Sequence, residues 1–325
     1  MLLTKRVRAL FNPEMYQGWG NTKKYFEGWY FKVVNAPGTK AFAFIPGISM
    51  DAAGNNHSFI QVLDGSMQKS EYHSFDASLF KPSEKEFELS LGENYFSPCR
   101  MVLDLPSVIG DLEFSAIVPW PKPWYSPGIM GPYAFAPFME CSHGIVSMDH
   151  AIRGSLTIND EVIDFTGGRG YIEKDWGHTF PSAYLWMQSN RFETEGISFK
   201  ASVAMIPWMT GSFTGFIAGL WYDNRLIRFT TYNGSKLRKL AFTDSVAELE
   251  LENKSSILSF RAPLVQATGL ASPLDGMMNG RIEESMTSVI SVTLTDRKTG
   301  ETLFSGEGRN ASIERSGDTS VLIPR

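Results

Sequence analysis

Three acidic side chains stand beside large aromatic rings in two segments of the sequence. Glu27 lies in YFEGWYFK, and Glu173 and Asp175 lie in GYIEKDWG. Burying an unpaired charge is costly, so an acidic group among apolar rings must reach solvent, pair with a cation or take up a proton. A carboxyl group that an apolar site keeps neutral can donate a proton at neutral pH. These residue types therefore favour acid catalysis in an apolar pocket.

Alternation along the first segment assigns Glu27 to an apolar face. In an extended chain alternate side chains share a face, which here groups Tyr25, Glu27, Trp29, Phe31 and Val33. Desolvation on such a face would favour the protonated acid. An ion pair between Glu27 and a Lys or Arg of a neighbouring strand is the alternative, and the sequence leaves both open.

The same rule separates the charges of the second segment. One face carries Tyr171, Glu173 and Asp175, and the other carries Ile172, Lys174 and Trp176. Two carboxylates on one face repel each other, which raises the proton affinity of the pair. The alternatives are a solvated pair or a pair bound to an arginine such as Arg169 or Arg191.

A third segment, YLWMQSNRF, predicts a pocket wall. Alternation places Tyr184, Trp186, Gln188 and Asn190 on one side, so that a row of rings ends in two amides. Rings with a few polar groups are typical of ligand sites. If this face were plain core, both amides would need hydrogen-bond partners.

Metal and nucleophile chemistry find little support. CSHGIVSMDH contains Cys141, His143, Asp149 and His150, but a regular strand would turn the two histidines to opposite faces, so ordinary histidines are favoured over metal ligands. Cys99 and Cys141 have no metal-ligand spacing and are expected as reduced thiols. We expect neither a metal nor a cofactor.

Composition describes a well-packed globular chain of 325 residues, with 43% apolar, 13% aromatic and 20% charged residues. The net charge of -5 argues against a nucleic-acid partner and against strong attraction to an anionic membrane. The N-terminal residues lack an apolar run long enough for a signal peptide, and no segment has the length of a membrane span. A cytoplasmic location is the resulting expectation.

Short alternating runs separated by turn residues predict an all-β fold. Asn159-Asp160 and Asp223-Asn224 mark tight hairpins. Two stretches interrupt the rhythm: the proline-rich Trp120–Glu140 is predicted as an ordered loop or lid, and Leu264–Ser285 as a connection or pocket rim. Closure removes exposed sheet edges, so we expect two antiparallel β-barrel domains, residues 1–180 and 181–325.

The segment YFEGWYFK, followed by GYIEKDWGHTFPSAYLWMQSN, resembles the tocopherol cyclase family, and GMMNGRIEES and GRNASIE extend the similarity towards the C-terminus. The resemblance implies two lipocalin-like, calycin-type β-barrels. It also implies cofactor-free, acid-catalysed cyclisation of a prenylated quinol to a chromanol-type ring, an intramolecular lyase or isomerase reaction. In such a reaction an acid protonates an alkene, aromatic faces shield the cation and water is kept out.

Site residues carry over position by position from this resemblance. The predicted catalytic acids are Glu173 and Glu27, with Asp175 beside them. Plant-type members carry Asn where this chain has Asp175, so Asp175 is not expected to be the obligatory acid. The predicted substrate-binding residues are Trp29, Tyr30, Tyr171, Lys174, Trp176, Trp186 and Gln188.

Two other functions compete with cyclisation. The same rings would form the cavity of a non-enzymatic carrier of a hydrophobic ligand, or the site of an isoprenoid hydratase. In each case the expected partner is a hydrophobic, prenylated or isoprenoid small molecule, with transient contact to a membrane surface.

Overall fold

The computed structural model describes residues 1–137 and 139–324, and most of them lie in antiparallel strands. One α-helix, α1, covers Leu2–Phe11, and four 3₁₀ helices cover Ala77–Leu79, Gly131–Phe135, Thr231–Asn233 and Thr319–Leu322. The strands are β1 Tyr25–Val34, β2 Ala41–Met50, β3 Asn56–Asp64, β4 Lys69–Phe75, β5 Phe80–Pro82, β6 Leu89–Leu91, β7 Asn94–Phe96, β8 Arg100–Asp104, β9 Val108–Ser115, β10 Cys141–Ile158, β11 Glu161–Asp164, β12 Arg169–Gly177, β13 Tyr184–Ser189, β14 Ser198–Trp208, β15 Gly211–Tyr222, β16 Arg225–Thr230, β17 Lys236–Phe242, β18 Val246–Glu252, β19 Ser256–Pro263, β20 Thr268–Leu274, β21 Met277–Asp296 and β22 Thr302–Ser316.

The strands form two sheets. The first runs in the order β4-β3-β2-β1-β12-β10-β9-β8-β7-β6-β5, with β11 on β10. The second runs β16-β15-β14-β13-β22-β21-β19-β18-β17, with β20 on β21. The predicted all-β class is confirmed. Closure into barrels is not confirmed. Within residues 1–137 and 139–324 the two end strands of each sheet do not pair, so each sheet is open.

The chain divides into two compact units. The first contains residues 1–180 and 270–281, and the second contains residues 181–269 and 282–325. The sequence predicted domains at residues 1–180 and 181–325. That each of them folds independently stays a prediction. No helix in the described part of the chain has the length and apolar character required to cross a bilayer.

Both tight hairpins predicted from turn residues are confirmed. Asn159 and Asp160 have φ of 49° and 66°, and they connect β10 to its partner β11. Asp223 and Asn224, both with φ of 53°, connect β15 to β16. Asn and Asp tolerate this left-handed backbone, which matches the twist of a two-residue hairpin.

The prediction of Leu264–Ser285 as a connection is wrong, and its role as a pocket rim stays a prediction. This stretch contains β20 and the start of β21, joined by a hairpin turn at Asp275 and Gly276, with φ of 50° and 84°. The glycine lies close to β2, since Ser49 Oγ donates to its carbonyl at 2.6 Å. Abundant Gly, Met and Pro resembled a loop, whereas the Asp-Gly pair was the hairpin signal.

The described residues of the proline-rich segment, 120–137 and 139–140, contain no strand, as expected. Between β9 and β10 its regular structure is the 3₁₀ helix Gly131–Phe135, and Trp120 is buried at its start. Phe138 lies outside the described residues. Lys122 Nζ reaches Asn12 Oδ1 at 3.0 Å, so this segment packs against the residues that follow α1.

The core of the first unit lies on one face of β1 and β12, here called the inner face. Trp29, Phe31 and Val33 of β1 and Ile172 of β12 belong to its buried cluster. The alternation predicted for both strands is therefore confirmed. In the second unit, Leu185 and Met187 of β13 enter the core cluster.

Candidate functional site

The sequence-predicted residues of the first unit occupy both faces of its central strands. Glu27, Trp29, Lys174 and Trp176 lie on the inner face. Tyr30, Tyr171, Glu173 and Asp175 alternate with them and lie on the opposite face, here called the outer face. Strand register explains each grouping, because Trp29 stands opposite Lys174, and Tyr30 stands opposite Glu173.

A buried ion pair dominates the inner face. Lys174 Nζ lies 2.6 Å from Glu27 Oε1, and neither side chain is exposed. The Glu27 carboxyl group also accepts hydrogen bonds from the Gln17 amide at 2.9 Å, the Gly18 amide at 3.1 Å and the Tyr25 hydroxyl. The ion-pair alternative considered for Glu27 is thus the observed arrangement.

Lys174 is equally well satisfied. Its ammonium group donates to the carbonyls of Pro13, at 3.0 Å, and Met15, in addition to Glu27. It also lies 4.7 Å from the ring centroids of Trp29 and Trp176, a cation–π distance. Three donors thus meet three acceptors, as a protonated amine requires.

The number of hydrogen-bond donors around Glu27 also indicates its protonation state. Burial raises the pKa of Glu27 and lowers that of Lys174, while the ion pair and the hydrogen bonds oppose both shifts. Four donors converge on this carboxyl group, and a protonated acid would direct its own proton at one of them. We therefore assign Glu27 as a carboxylate that fastens residues 13–18 to β1 and β12.

A cavity of about 240 Å³ lies next to this pair. Tyr25, Gln17 and Trp176 form its polar and aromatic side, and Leu10 and Met130 contribute to its apolar side. Pockets for drug-sized ligands usually measure about 300–1,000 Å³. The cavity is therefore smaller than a site that encloses a whole drug-sized ligand.

A chain of titratable groups occupies the outer face. Asp175 Oδ1 lies 2.6 Å from His143 Nδ1, and His143 Nε2 lies 3.4 Å from Glu173 Oε2. The Tyr171 hydroxyl donates to the same Glu173 oxygen. Exposure falls along this chain, from 27% for the Asp175 side chain through 14% for His143 to 5% for Glu173. The arrangement connects a buried carboxyl group to a solvent-accessible one through an imidazole.

The groups beside this chain keep their protons. Burial, followed by the charge of Glu173, raises the pKa of Tyr171 well above its usual value. Burial and the nearby Asp175 similarly raise the pKa of the Cys141 thiol, whose Sγ lies 3.8 Å from Asp175 Oδ1. Tyr171 and Cys141 are therefore hydrogen-bond donors to Glu173 and Asp175, not nucleophiles.

His143, Glu173 and Asp175 also have ligand atoms within 4.8 Å of one another, close enough to bind one cation. One imidazole and two carboxylates suit a divalent transition metal. His150 is not part of this group. It is fully buried with its ring centroid 4.6 Å from that of Phe114, and burial, with the charge of Arg169, lowers its pKa to about 3.

Sequence reasoning missed the importance of His143. It lies on β10 directly opposite Asp175, and the pairing of β10 with β12 shifts register twice farther along. His143 lies two residues after Cys141 and therefore on the same face of β10. This shared face was the signal that the local sequence offered. Its partner across the sheet cannot be read from a single strand.

Trp186 and Gln188 belong to the second unit. Gln188 pairs with Lys200 of β14 and Ser312 of β22, and all three residues are buried. On the same face of β13 the Tyr184 hydroxyl donates to Glu314 Oε2 at 3.0 Å. The second unit thus has a buried polar face opposite its core, and the substrate-binding role of Trp186 and Gln188 stays a prediction.

Known structures with this fold are very different in sequence. CghA, solved with Sch210972, has a TM-score of 0.56 at 13% identity, over 90% of this chain and 89% of that chain. A putative AttH from Nitrosomonas europaea has a TM-score of 0.52 at 14% identity, over 90% and 92%. Both similarities show a shared fold.

A family model described as tocopherol cyclase-like matches residues 111–317, well over half of the chain. The match includes β10, β12 and β13, while the YFEGWYFK strand precedes it. The chain belongs to the tocopherol cyclase-like family.

Proposed function

We propose that this protein is an isoprenoid-modifying enzyme that cyclises a prenylated quinol by acid catalysis, with Glu173 as the proton donor. The single observation that carries the proposal is the Glu173–His143–Asp175 chain, which joins a 5% exposed carboxyl group to a 27% exposed one. A buried acid next to a route for protons from solvent is what repeated alkene protonation requires.

In the proposed reaction the Glu173 proton adds to the less substituted carbon of the substrate alkene, which forms a tertiary cation. The phenolic oxygen attacks this cation, closes the C–O bond of the ring and releases its own proton. That proton returns to Glu173 through His143, held in orientation by Asp175. The product is an isomer of the substrate, so no external oxidant, reductant or cofactor enters the balance.

Glu173 is favoured over Glu27 because the two carboxyl groups have different partners. Glu27 has an ammonium at 2.6 Å and three further donors, which together stabilise the anion. The partners of Glu173 include a tyrosine hydroxyl and an imidazole that can itself take up a proton. Tyr30, opposite Glu173 on β1, is proposed to bind the quinol head group.

Family membership supports a reaction on an isoprenoid. Trp29, Lys174, Trp186 and Gln188 remain proposed contributors to substrate binding. We also retain lipocalin-like closure of each sheet as a proposal, since it would shield the cation from water.

The test is incubation of the protein with a short-chain prenylhydroquinone in heavy water. Cyclisation predicts a ring-closed product that carries one deuterium on carbon. A water adduct would identify a hydratase, and recovery of bound, unchanged ligand would identify a carrier. Glu113→Gln, at an exposed position of β9, is the matched control for Glu173→Gln.

A further inference from the structure

Helix α1 exposes its apolar side, whereas an ordinary surface helix buries it. Leu3, Val7 and Phe11 recur every four residues on one side and are 75%, 48% and 36% exposed. A helix on a soluble protein normally turns its apolar stripe to the core and its charges to water. The exposed stripe therefore indicates that something apolar covers it.

The basic residues of α1 contact other parts of the first unit. Lys5 Nζ lies 2.5 Å from Glu84 and 4.7 Å from the ring of Trp19. Arg6 Nε donates to the Trp19 carbonyl at 2.7 Å, and Arg8 Nη1 donates to the Glu84 carbonyl at 2.7 Å. These contacts fix the rotation of the helix, so the outward position of the stripe is part of the fold of the first unit.

The proline-rich segment extends the same patch. Phe135, 46% exposed, has its ring centroid 6.1 Å from that of Phe11. Trp124 and Tyr125 are 78% and 61% exposed, two and three residues after Lys122, which contacts Asn12. Trp and Tyr favour the interface between membrane and water, where the ring is in apolar surroundings and its polar edge stays hydrated.

Charge near the patch is complementary to anionic lipid. The first twelve residues contain Lys5, Arg6 and Arg8 and no acidic residue, although the whole chain has a net charge of -5. Arg8 is exposed beside the stripe, whereas Lys122, 39% exposed, is paired with Glu14. Basic residues that border exposed Leu, Phe and Trp are the usual pattern of an interfacial amphipathic helix.

The segments that carry the patch also border a cavity. The cavity of about 240 Å³ is lined by Leu10 of α1 and by Met130, Ala134 and Ala136 of the proline-rich segment. Its far side is formed by Tyr25 and Trp176. The two segments that carry the exposed stripe therefore also border the cavity.

From these observations we propose that α1 and the proline-rich segment form a membrane-docking patch, which binds anionic phospholipid surfaces through Leu3, Val7, Phe11, Trp124, Tyr125 and Phe135. A second copy of the chain fits less well, because a stable protein interface uses about 20–30 residues a side and the patch offers six large exposed side chains. Together with the proposed function, which supplies a lipophilic substrate, docking would bring the protein to the bilayer in which a prenylated substrate dissolves.

The experiment is co-sedimentation of the full chain with vesicles, without any substrate. One set of vesicles is phosphatidylcholine alone and the other contains added phosphatidylglycerol. The triple variant Leu3→Gln, Val7→Gln, Phe11→Gln removes the stripe while retaining every basic residue. Ile109→Gln with Val162→Gln, at positions that are 56% and 70% exposed on β9 and β11, is the matched control.

Wild type and control are expected to sediment with the anionic vesicles, and more weakly with phosphatidylcholine. The triple variant is expected to have a partition coefficient at least about tenfold lower, since it replaces three apolar side chains that would enter the lipid. Trp124→Ala, at a position that is 78% exposed, is expected to weaken binding if the triple variant proves unstable.

The proposal is overturned if wild type does not sediment with anionic vesicles, or if the triple and control variants bind alike. If wild type does not bind vesicles and is a dimer, and the triple variant is a monomer, the patch would instead be an interface with a second copy of the chain. Because no substrate is present, a negative result leaves the proposed cyclisation untouched, and an inactive enzyme leaves the binding result untouched.

Discussion

Replacing Lys174 by methionine would remove the counter-charge of Glu27 without leaving a large hole. The Glu27 carboxylate would keep the Gln17 and Gly18 amides and the Tyr25 hydroxyl as donors, but it would remain buried without a cation. The carbonyls of Pro13 and Met15 would lose their donor as well. The reverse variant, Glu27→Gln, leaves a buried ammonium with two neutral partners.

Removing one partner of a buried ion pair costs about 3–5 kcal/mol, because the other charge is left uncompensated. We expect a loss of this size for Lys174→Met and for Glu27→Gln. In the double variant both charges are gone, so its loss should be smaller than the sum by at least about 2 kcal/mol. Lys239→Met, which breaks an exposed pair with Glu248 at 2.6 Å, should cost much less, because solvent screens both charges.

Urea denaturation of wild type, both single variants, the double variant and the Lys239→Met control gives these differences. Hydrogen exchange of the Gln17 and Gly18 amides reports the same event locally, and both should lose protection in Lys174→Met. If Lys174→Met were no more costly than Lys239→Met, Glu27 would not be a buried carboxylate that depends on Lys174. It would then be a neutral acid and again a candidate proton donor.

Two further predictions concern the packing of the first unit. Burial lowers the pKa of His150 to about 3, so the unfolded chain binds the extra proton first and stability falls with pH below 6.5. Between pH 7 and 5 wild type should lose about 2 kcal/mol more than His150→Gln in urea unfolding, and parallel curves would contradict this assignment. Gly276→Ala should be more destabilising than Gly196→Ala: both glycines have positive φ, but only at Gly276 would a Cβ clash, with Met50 O and the Tyr25 amide. Equal thermal shifts would show that the hairpin turn tolerates a side chain.

Features set by neighbouring residues were accessible from the sequence. Alternation placed Glu27 and Trp29 on one face of β1 and separated Lys174 from Glu173 on β12, because side-chain direction depends only on position along the strand. The turns at Asn159 and Asp223 were accessible for a similar reason, since few residues tolerate a left-handed backbone.

Features set by strand register were not accessible. Lys174 is the partner of Glu27 because β12 pairs with β1, almost 150 residues earlier in the chain, and His143 reaches Asp175 through the pairing of β10 with β12. No local pattern encodes such a choice of neighbour. Helix α1 was overlooked for a different reason: its apolar spacing is helical, but the stripe does not face the core.

Single-turnover cyclisation by Glu173→Gln in heavy water tests the central claim most directly. Glutamine retains the shape of the side chain and can still accept the Tyr171 hydrogen bond, but it has no proton to give to an alkene. We predict that this variant binds the prenylhydroquinone as wild type does and forms no deuterated ring product, while Glu113→Gln forms it at the wild-type rate. Ring closure by Glu173→Gln at an undiminished rate would contradict the assignment of Glu173 as the acid.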